Sequence, residues 1–162
     1  MLIKFVKVTT DGEVSVVKVN GRDYRSLAGE IGANLVQYVR VMTDTLGMDR
    51  YEMIVDEEGL LKDKPKVNPV GCLLYGTFDH GNPIVGDLLL TLVEYGPEGR
   101  DSVDIPDAEA VELAEKVLAA KEALETTGGW KHFKVEFAET KAEDFPVMVI
   151  PIPAGKDFMD YL

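Results

Sequence analysis

Apolar and polar residues alternate along Leu2–Val8 (LIKFVKV) and again along residues 13–19 (EVSVVKV). A period of two sends one side of each segment to a core and the other to water, so both read as strands. Thr10-Asp11-Gly12 lies between them and supplies a turn, which makes the pair a β-hairpin. After Asn20-Gly21 the period lengthens. Tyr24, Leu27, Ala28 and Ile31 share one helical face, with Asp23 placed to cap its start and Gly32 to end it. Residues 34–42 (NLVQYVRVM) and 51–55 (YEMIV) predict a third and a fourth strand.

Asn68-Pro69 pairs an N-cap residue with proline at the first helical position, so residues 69–75 predict a short helix. A glycine-bearing loop, residues 76–83, leads to an apolar strand over 88–95. The polar stretch from Gly96 to Asp104 marks the one plausible internal boundary. Pro106-Asp107 opens a helix of some twenty residues, with Val111, Ala114, Val117, Leu118, Ala120 and Leu124 expected on its buried face and Gly128-Gly129 at its end. Two further strands are expected over Trp130–Phe137 and Pro146–Ile152, then a helical tail over Asp157–Leu162. These elements specify an α+β fold: a mixed, mainly antiparallel sheet with two short helices and one long amphipathic helix. At 162 residues the expectation is a single domain, with 1–95 as its core and 96–162 as a possible appendage.

Charge changes the picture more than composition does. The chain carries 17 Lys and Arg against 29 Asp and Glu, a formal charge of −12. Such a body repels phosphate backbones and anionic lipid, so neither direct nucleic-acid binding nor membrane binding is expected. The acid is unevenly placed. Residues 1–40 hold 6 basic and 4 acidic side chains, whereas residues 67–162 hold 7 basic and 18 acidic ones. The N-terminal segment alternates charge with apolar residues and lacks the apolar core of a signal peptide, which points to a cytoplasmic protein. Cys72 is the single cysteine and sits in an apolar setting, so it reads as a buried structural thiol.

Four constellations bear on chemistry. Asp56-Glu57-Glu58 is followed directly by Gly59-Leu60-Leu61, a spacing that fails as a calcium loop and reads as a solvated turn. Asp79, His80 and Asn82, with Tyr75 before them and Asp87 after, form the candidate ligand site; no nucleophile accompanies the His-Asp pair, so no catalytic residue is assigned. Two histidines and one cysteine exclude a multi-histidine or thiolate metal site, and neither metal nor cofactor is expected. Gly71, Gly76, Gly81 and Gly86 recur every five residues, but no Lys or Arg lies between Gly71 and Gly86, which argues against a phosphate cradle there. On the long helix, Glu109, Glu112, Glu115 and Glu122 are the candidate partner-binding residues, either for a basic protein face or as an imitation of DNA phosphates. Trp130, Phe133, Phe137, Phe145, Met148, Phe158, Met159 and Tyr161 supply enough apolar surface near the C-terminus for a homo-oligomer contact.

Val55-Asp56-Glu57-Glu58-Gly59, Asn68, Leu74-Tyr75-Gly76 and Pro83-Ile84-Val85-Gly86-Asp87-Leu88 follow one another in an order that resembles a small domain-of-unknown-function family of bacteria, plasmids and phages. The likeness spans about residues 1–95, with Leu88 where the family usually has Val. It implies an accessory protein of a phage or other mobile element, acting in the host cytoplasm, and brings no catalytic residue with it. The expectation is a non-enzymatic protein that binds a host or phage protein with a basic face, for counter-defence or host takeover. The alternatives are a small-molecule or nucleotide binder with a pocket near residues 75–87, and a DNA-mimic inhibitor.

Overall fold

The computed structural model describes residues 1–42, 46, 50–77 and 82–138. The expected strand Pro146–Ile152, the helical tail and the aromatic residues beyond Ala138 lie outside them. The protein is α+β. Six strands, β1 (Leu2–Val8), β2 (Val14–Asn20), β3 (Val36–Arg40), β4 (Tyr51–Asp56), β5 (Leu88–Gly96) and β6 (Gly99–Val103), form one sheet. The order is β2-β1-β5-β4-β3, with β6 also on β5, and every pairing is antiparallel. The described residues also form four α-helices, α1 (Tyr24–Glu30), α2 (Pro69–Tyr75), α3 (Asp107–Thr127) and α4 (Gly129–Ala138).

Local signals account for most of these elements. The β1–β2 register runs from Leu2 opposite Asn20 to Val8 opposite Val14. Its turn closes through Gly12 N donating to Thr9 O and Glu13 N donating to the Thr9 hydroxyl, each at 3.0 Å. Asp23 caps α1 by accepting from Arg25 N, and Asn68 caps α2 by accepting from Gly71 N, both at 3.1 Å.

Side-chain alternation divides the core into two layers. Val6, Val8, Tyr51, Met53, Val55, Leu88, Leu90 and Leu92 face α2, α3 and α4. Ile3, Phe5, Val19, Ile54 and Leu89 face the other way, under Leu27 and Ala28 of α1 and Ile31 just after it. The central strand β5 is covered on both sides, which is why it opens as an unbroken apolar run. α1 touches both β2 and β3, the opposite edges of the sheet, so the connection that contains it carries the chain across that face.

Three expectations need correction. The Trp130–Phe137 segment is helical, because Gly128 (φ 80°) turns the chain and Trp130 and Phe133, three residues apart, then pack inward together. The polar stretch after Gly96 contains β6, which pairs Gly99–Val103 with Leu92–Gly96. The buried stripe of α3 is Ala110, Leu113, Val117, Ala120 and Leu124, spaced three and four apart, while Val111 and Leu118 point outward. Apolar residues occupy more than one face of this helix, and only one face meets the sheet.

β1 and β6 share one edge of β5. β1 pairs with it at Leu88–Leu90, and β6 takes over from Leu92. Asp104 fills the fork, accepting from Lys4 N at 2.7 Å and from Lys4 Nζ at 2.8 Å. The hydrogen bond from the Lys4 side chain holds the Asp104 carboxyl below its ordinary range. A carboxyl lowered in the folded state stabilises above its ordinary pKa and loses that contribution as pH falls through the folded value. Urea titrations should therefore show stability declining below about pH 4, and Asp104→Asn should lower the neutral plateau and flatten that acid limb; an unchanged limb refutes the assignment.

The tightest junction is Asn68, which is fully buried. Its Nδ2 donates to Val8 O at 3.1 Å and Gly86 O at 3.0 Å, beside the cap to Gly71. Asn68→Ala removes a helix cap and two side-chain hydrogen bonds to the Val8 and Gly86 carbonyls, a loss of about 3 kcal/mol. Urea denaturation should show it, with the exposed Asn82→Ala within about 0.5 kcal/mol of wild type.

Candidate functional site

The segment from Asn82 to Asp87 stands as a partition between two clefts. It is held along one side by the strap that precedes α2. Gly86 N donates to Lys66 O at 2.8 Å, Val67 and Val85 form an antiparallel bridge, and Asn68 N donates to Ile84 O at 2.9 Å. Gly86 adopts φ 85°, a left-handed conformation that turns the chain from this ladder into β5. Gly71 lets α2 press against the partition: a Cβ there would meet Ile84 Cγ2 and Leu88 Cδ2 at 2.7 Å.

On one side of the partition, Tyr75 and Asn82 line a 320 Å³ cleft together with Gln37, Val39, Glu57 and Leu60. On the other side, Asp87 lines a 420 Å³ cleft with Thr10, Asp56, Lys62, Lys64 and Lys66. The structure thus brings Tyr75 and Asn82 together and turns Asp87 away from both. Asp79 and His80 lie outside the described residues.

Asp56 departs from the expected solvated turn. Its side chain is 2% exposed, with Oδ2 2.7 Å from Lys62 Nζ and Oδ1 accepting from Glu58 N at 2.9 Å. Lys62 Nζ also donates to Gly32 O at 3.1 Å. Asp87 Oδ1 accepts from Thr10 N at 3.0 Å, which fixes the turn of the first hairpin against the start of β5. Among the described residues, no group of three or more His, Cys, Asp or Glu side chains is placed to hold a metal ion.

The four carboxylates expected to meet a partner separate into two kinds. Glu112, Glu115 and Glu122 are exposed on α3. Glu109 instead turns inward to Arg50, at 2.6 Å, with its second oxygen buried and without a hydrogen-bond partner among the described residues. Burial first, and the Glu109 carboxylate second, push the Tyr51 hydroxyl up to about 12. Glu109 therefore belongs to the junction of α3 with β4. Lys116 pairs with Glu112 at 3.5 Å, and Lys121 pairs forward with Glu125 at 3.7 Å.

A further polar cluster lies on the sheet face that α1 leaves open. Glu52, 3% exposed, accepts from Tyr95 Oη at 2.9 Å and pairs with Arg100 Nε at 3.0 Å, and Arg100 lies over the Tyr38 ring at 5.1 Å. Nothing in the sequence marks this cluster, because its members come from four strands and meet only once β6 is paired.

Cys72 is buried behind the partition, where Ile84 N donates to its sulfur at 3.3 Å. Burial pushes the thiol up to about 12, so it is protonated at neutral pH. Alkylation by iodoacetamide followed by mass spectrometry should leave Cys72 unmodified in the folded protein and modify it fully in urea; rapid labelling of the native chain contradicts this placement.

No family model matches the chain, and no curated protein matches it. Among solved structures it is similar to the crystal structure of the small RNA methyltransferase HEN1, with a TM-score of 0.48 at 14% identity over 80% of this chain. The chain spans 17% of that protein's length, and a likeness this distant bears on no function.

Proposed function

We propose that this chain is a non-catalytic binding protein that engages a protein with a basic face through the outward side of α3. The observation that supports this reading is the stripe Val111, Glu115, Leu118 and Glu122, spaced four, three and four along one side of the helix and exposed throughout. Val111 and Leu118 are 56% and 47% exposed, whereas the core stripe of the same helix is buried. Covering either apolar side chain recovers up to about 2 kcal/mol. Glu115 and Glu122 have no ion-pair partner among the described residues, so the rim around those side chains favours Lys and Arg and speeds their approach.

Two rival occupants fit this stripe less well. A surface imitating DNA would present unbroken anionic charge, but here Val111, Leu118, Lys116 and Lys121 interrupt the carboxylates. A second copy meeting the same stripe would bring the exposed Glu112, Glu115 and Glu122 of both helices into one contact, a concentration of like charge that a basic partner avoids. The resemblance to a mobile-element domain gives context for the partner: a host or phage protein, with counter-defence or host takeover as the use.

Co-precipitation from host lysate at low salt tests the reading. Wild type should retain a protein that V111D/L118D and E115K/E122K both release, that elutes with added salt, and that an Asp63→Lys control keeps. Identical capture by all four chains, or none by wild type, overturns the proposal. So does a self-association in light scattering that V111D/L118D abolishes, since a second copy would then occupy the stripe.

A further inference from the structure

The strap before α2 carries Lys62, Lys64 and Lys66 at alternate positions, and all three line the same 420 Å³ cleft. In a chain of charge −12 this is a local concentration of cations, and its members are not equivalent. Lys62 is held by Asp56 and Gly32 O. The Lys64 and Lys66 side chains are exposed and make no ion pair or hydrogen bond among the described residues.

The facing wall has a different character. Thr10 is 8% exposed, lines the cleft, and its hydroxyl makes no hydrogen bond among the described residues. Asp87 keeps one carboxylate oxygen beyond the one that Thr10 N occupies. Asp11 and Glu13 stand at the rim, exposed and without ion pairs among the described residues. Two unmatched ammonium groups therefore face a wall of hydrogen-bond acceptors that also carries one sheltered hydroxyl, across a space of ligand size. The walls are also fixed before any ligand arrives, by the Lys66–Gly86 and Val67–Val85 ladder on one side and the Thr10–Asp87 hydrogen bond on the other.

We propose that this cleft binds a small phosphomonoester bearing free hydroxyl groups, the chemistry shared by sugar phosphates and nucleoside monophosphates. The phosphate oxygens would accept from Lys64, Lys66 and the Thr10 hydroxyl, all donors. The ligand's hydroxyls would donate to Asp87 and the rim carboxylates, which can only accept. A neutral sugar leaves the two ammonium groups unmatched. Inorganic phosphate leaves the acceptor wall unmatched and meets its repulsion. The split between the walls selects a ligand with both kinds of group. This inference is independent of the α3 reading and stands or falls without it.

Calorimetric titration of the full chain with ribose 5-phosphate, adenosine 5′-monophosphate, ribose and inorganic phosphate tests it. At least one of the two phosphomonoesters should bind, more tightly than ribose or phosphate by about tenfold or more. Which of the two binds better identifies the source of the ligand. K64A/K66A should weaken that binding by at least about tenfold and Thr10→Val by several-fold, with melting temperatures near wild type. Asp87→Asn should weaken it while leaving inorganic phosphate binding no weaker, and Asn82→Ala, in the neighbouring cleft, should have no effect. Absence of heat for both phosphomonoesters at about 5 mM overturns the proposal. So does binding that K64A/K66A leaves intact, or inorganic phosphate binding as tightly as either ester.

Discussion

The buried Asn68 amide is the constraint on which the site depends. Its oxygen caps α2, its nitrogen reaches both the end of β1 and Gly86, and its backbone N–H and C=O engage Ile84 and Cys72. One side chain thus fixes three segments that are distant in sequence: the first hairpin, the start of the helix and the partition. Only an uncharged amide can do this. Asp would offer no donor to the two carbonyls, and an apolar residue would make none of the three hydrogen bonds. The lysine strap inherits its position from this junction, since Lys66 and Val67 immediately precede Asn68 in the ladder to Val85 and Gly86.

Residues from the turn at 55–59, the start of α2 and the segment 83–88 meet at the same place. Asp56 and Gly86 are neighbours, a Cβ on Gly59 would meet Val85 at 3.0 Å, and Gly71 packs against Ile84 and Leu88. Residues scattered from 55 to 88 therefore form one packed junction, and that packing accounts for each of them without invoking a reaction. The same junction gathers strand ends. β1 ends at Val8 opposite Leu88, where β5 begins, and β4 ends at Asp56 opposite Val36, where β3 begins. Both clefts open at this end of the sheet, with walls drawn from the connections that leave those strands. Connections are free to carry unpaired polar groups because the sheet beside them supplies the stability.

Local chemistry made much of this legible. The first hairpin, the helix capped by Asp23, the Asn68-Pro69 helix and the strand from residue 88 each carry their start signal within a few residues, and each forms where expected. What failed was information held elsewhere in the chain. β6 (GRDSV) has no apolar alternation, since its face is completed by Tyr95, Tyr38 and Glu52 from other strands. Val111 and Leu118 look like core residues until the sheet chooses the neighbouring stripe of α3. Asp56 looks like part of a solvated acidic turn until Lys62, six residues on, folds over it. Asp87 sits five residues from Asn82, and only the partition between them reveals that they serve different clefts.

The two faces of the sheet solve the problem of cover differently. The helical side has α2, α3 and α4, whereas α1 is too short to cover the whole of the other side. The uncovered half carries Glu52, whose carboxylate would be an expensive group to bury alone. Arg100 and Tyr95 lie over it and satisfy it, and Arg100 extends across Tyr38. Replacing a buried ion pair by apolar residues commonly maintains stability, so stability alone does not explain its presence. Its effect is directional. Glu52 is on β4 and Arg100 on β6, two strands that touch only through β5, and the pair ties them directly. β6 is thereby held in register at the fork where β1 leaves β5, and the chain enters α3 from a fixed point. The outward stripe of α3 is the side opposite Ala110, Leu113, Val117, Ala120 and Leu124, which are buried in the core on the other face of the sheet.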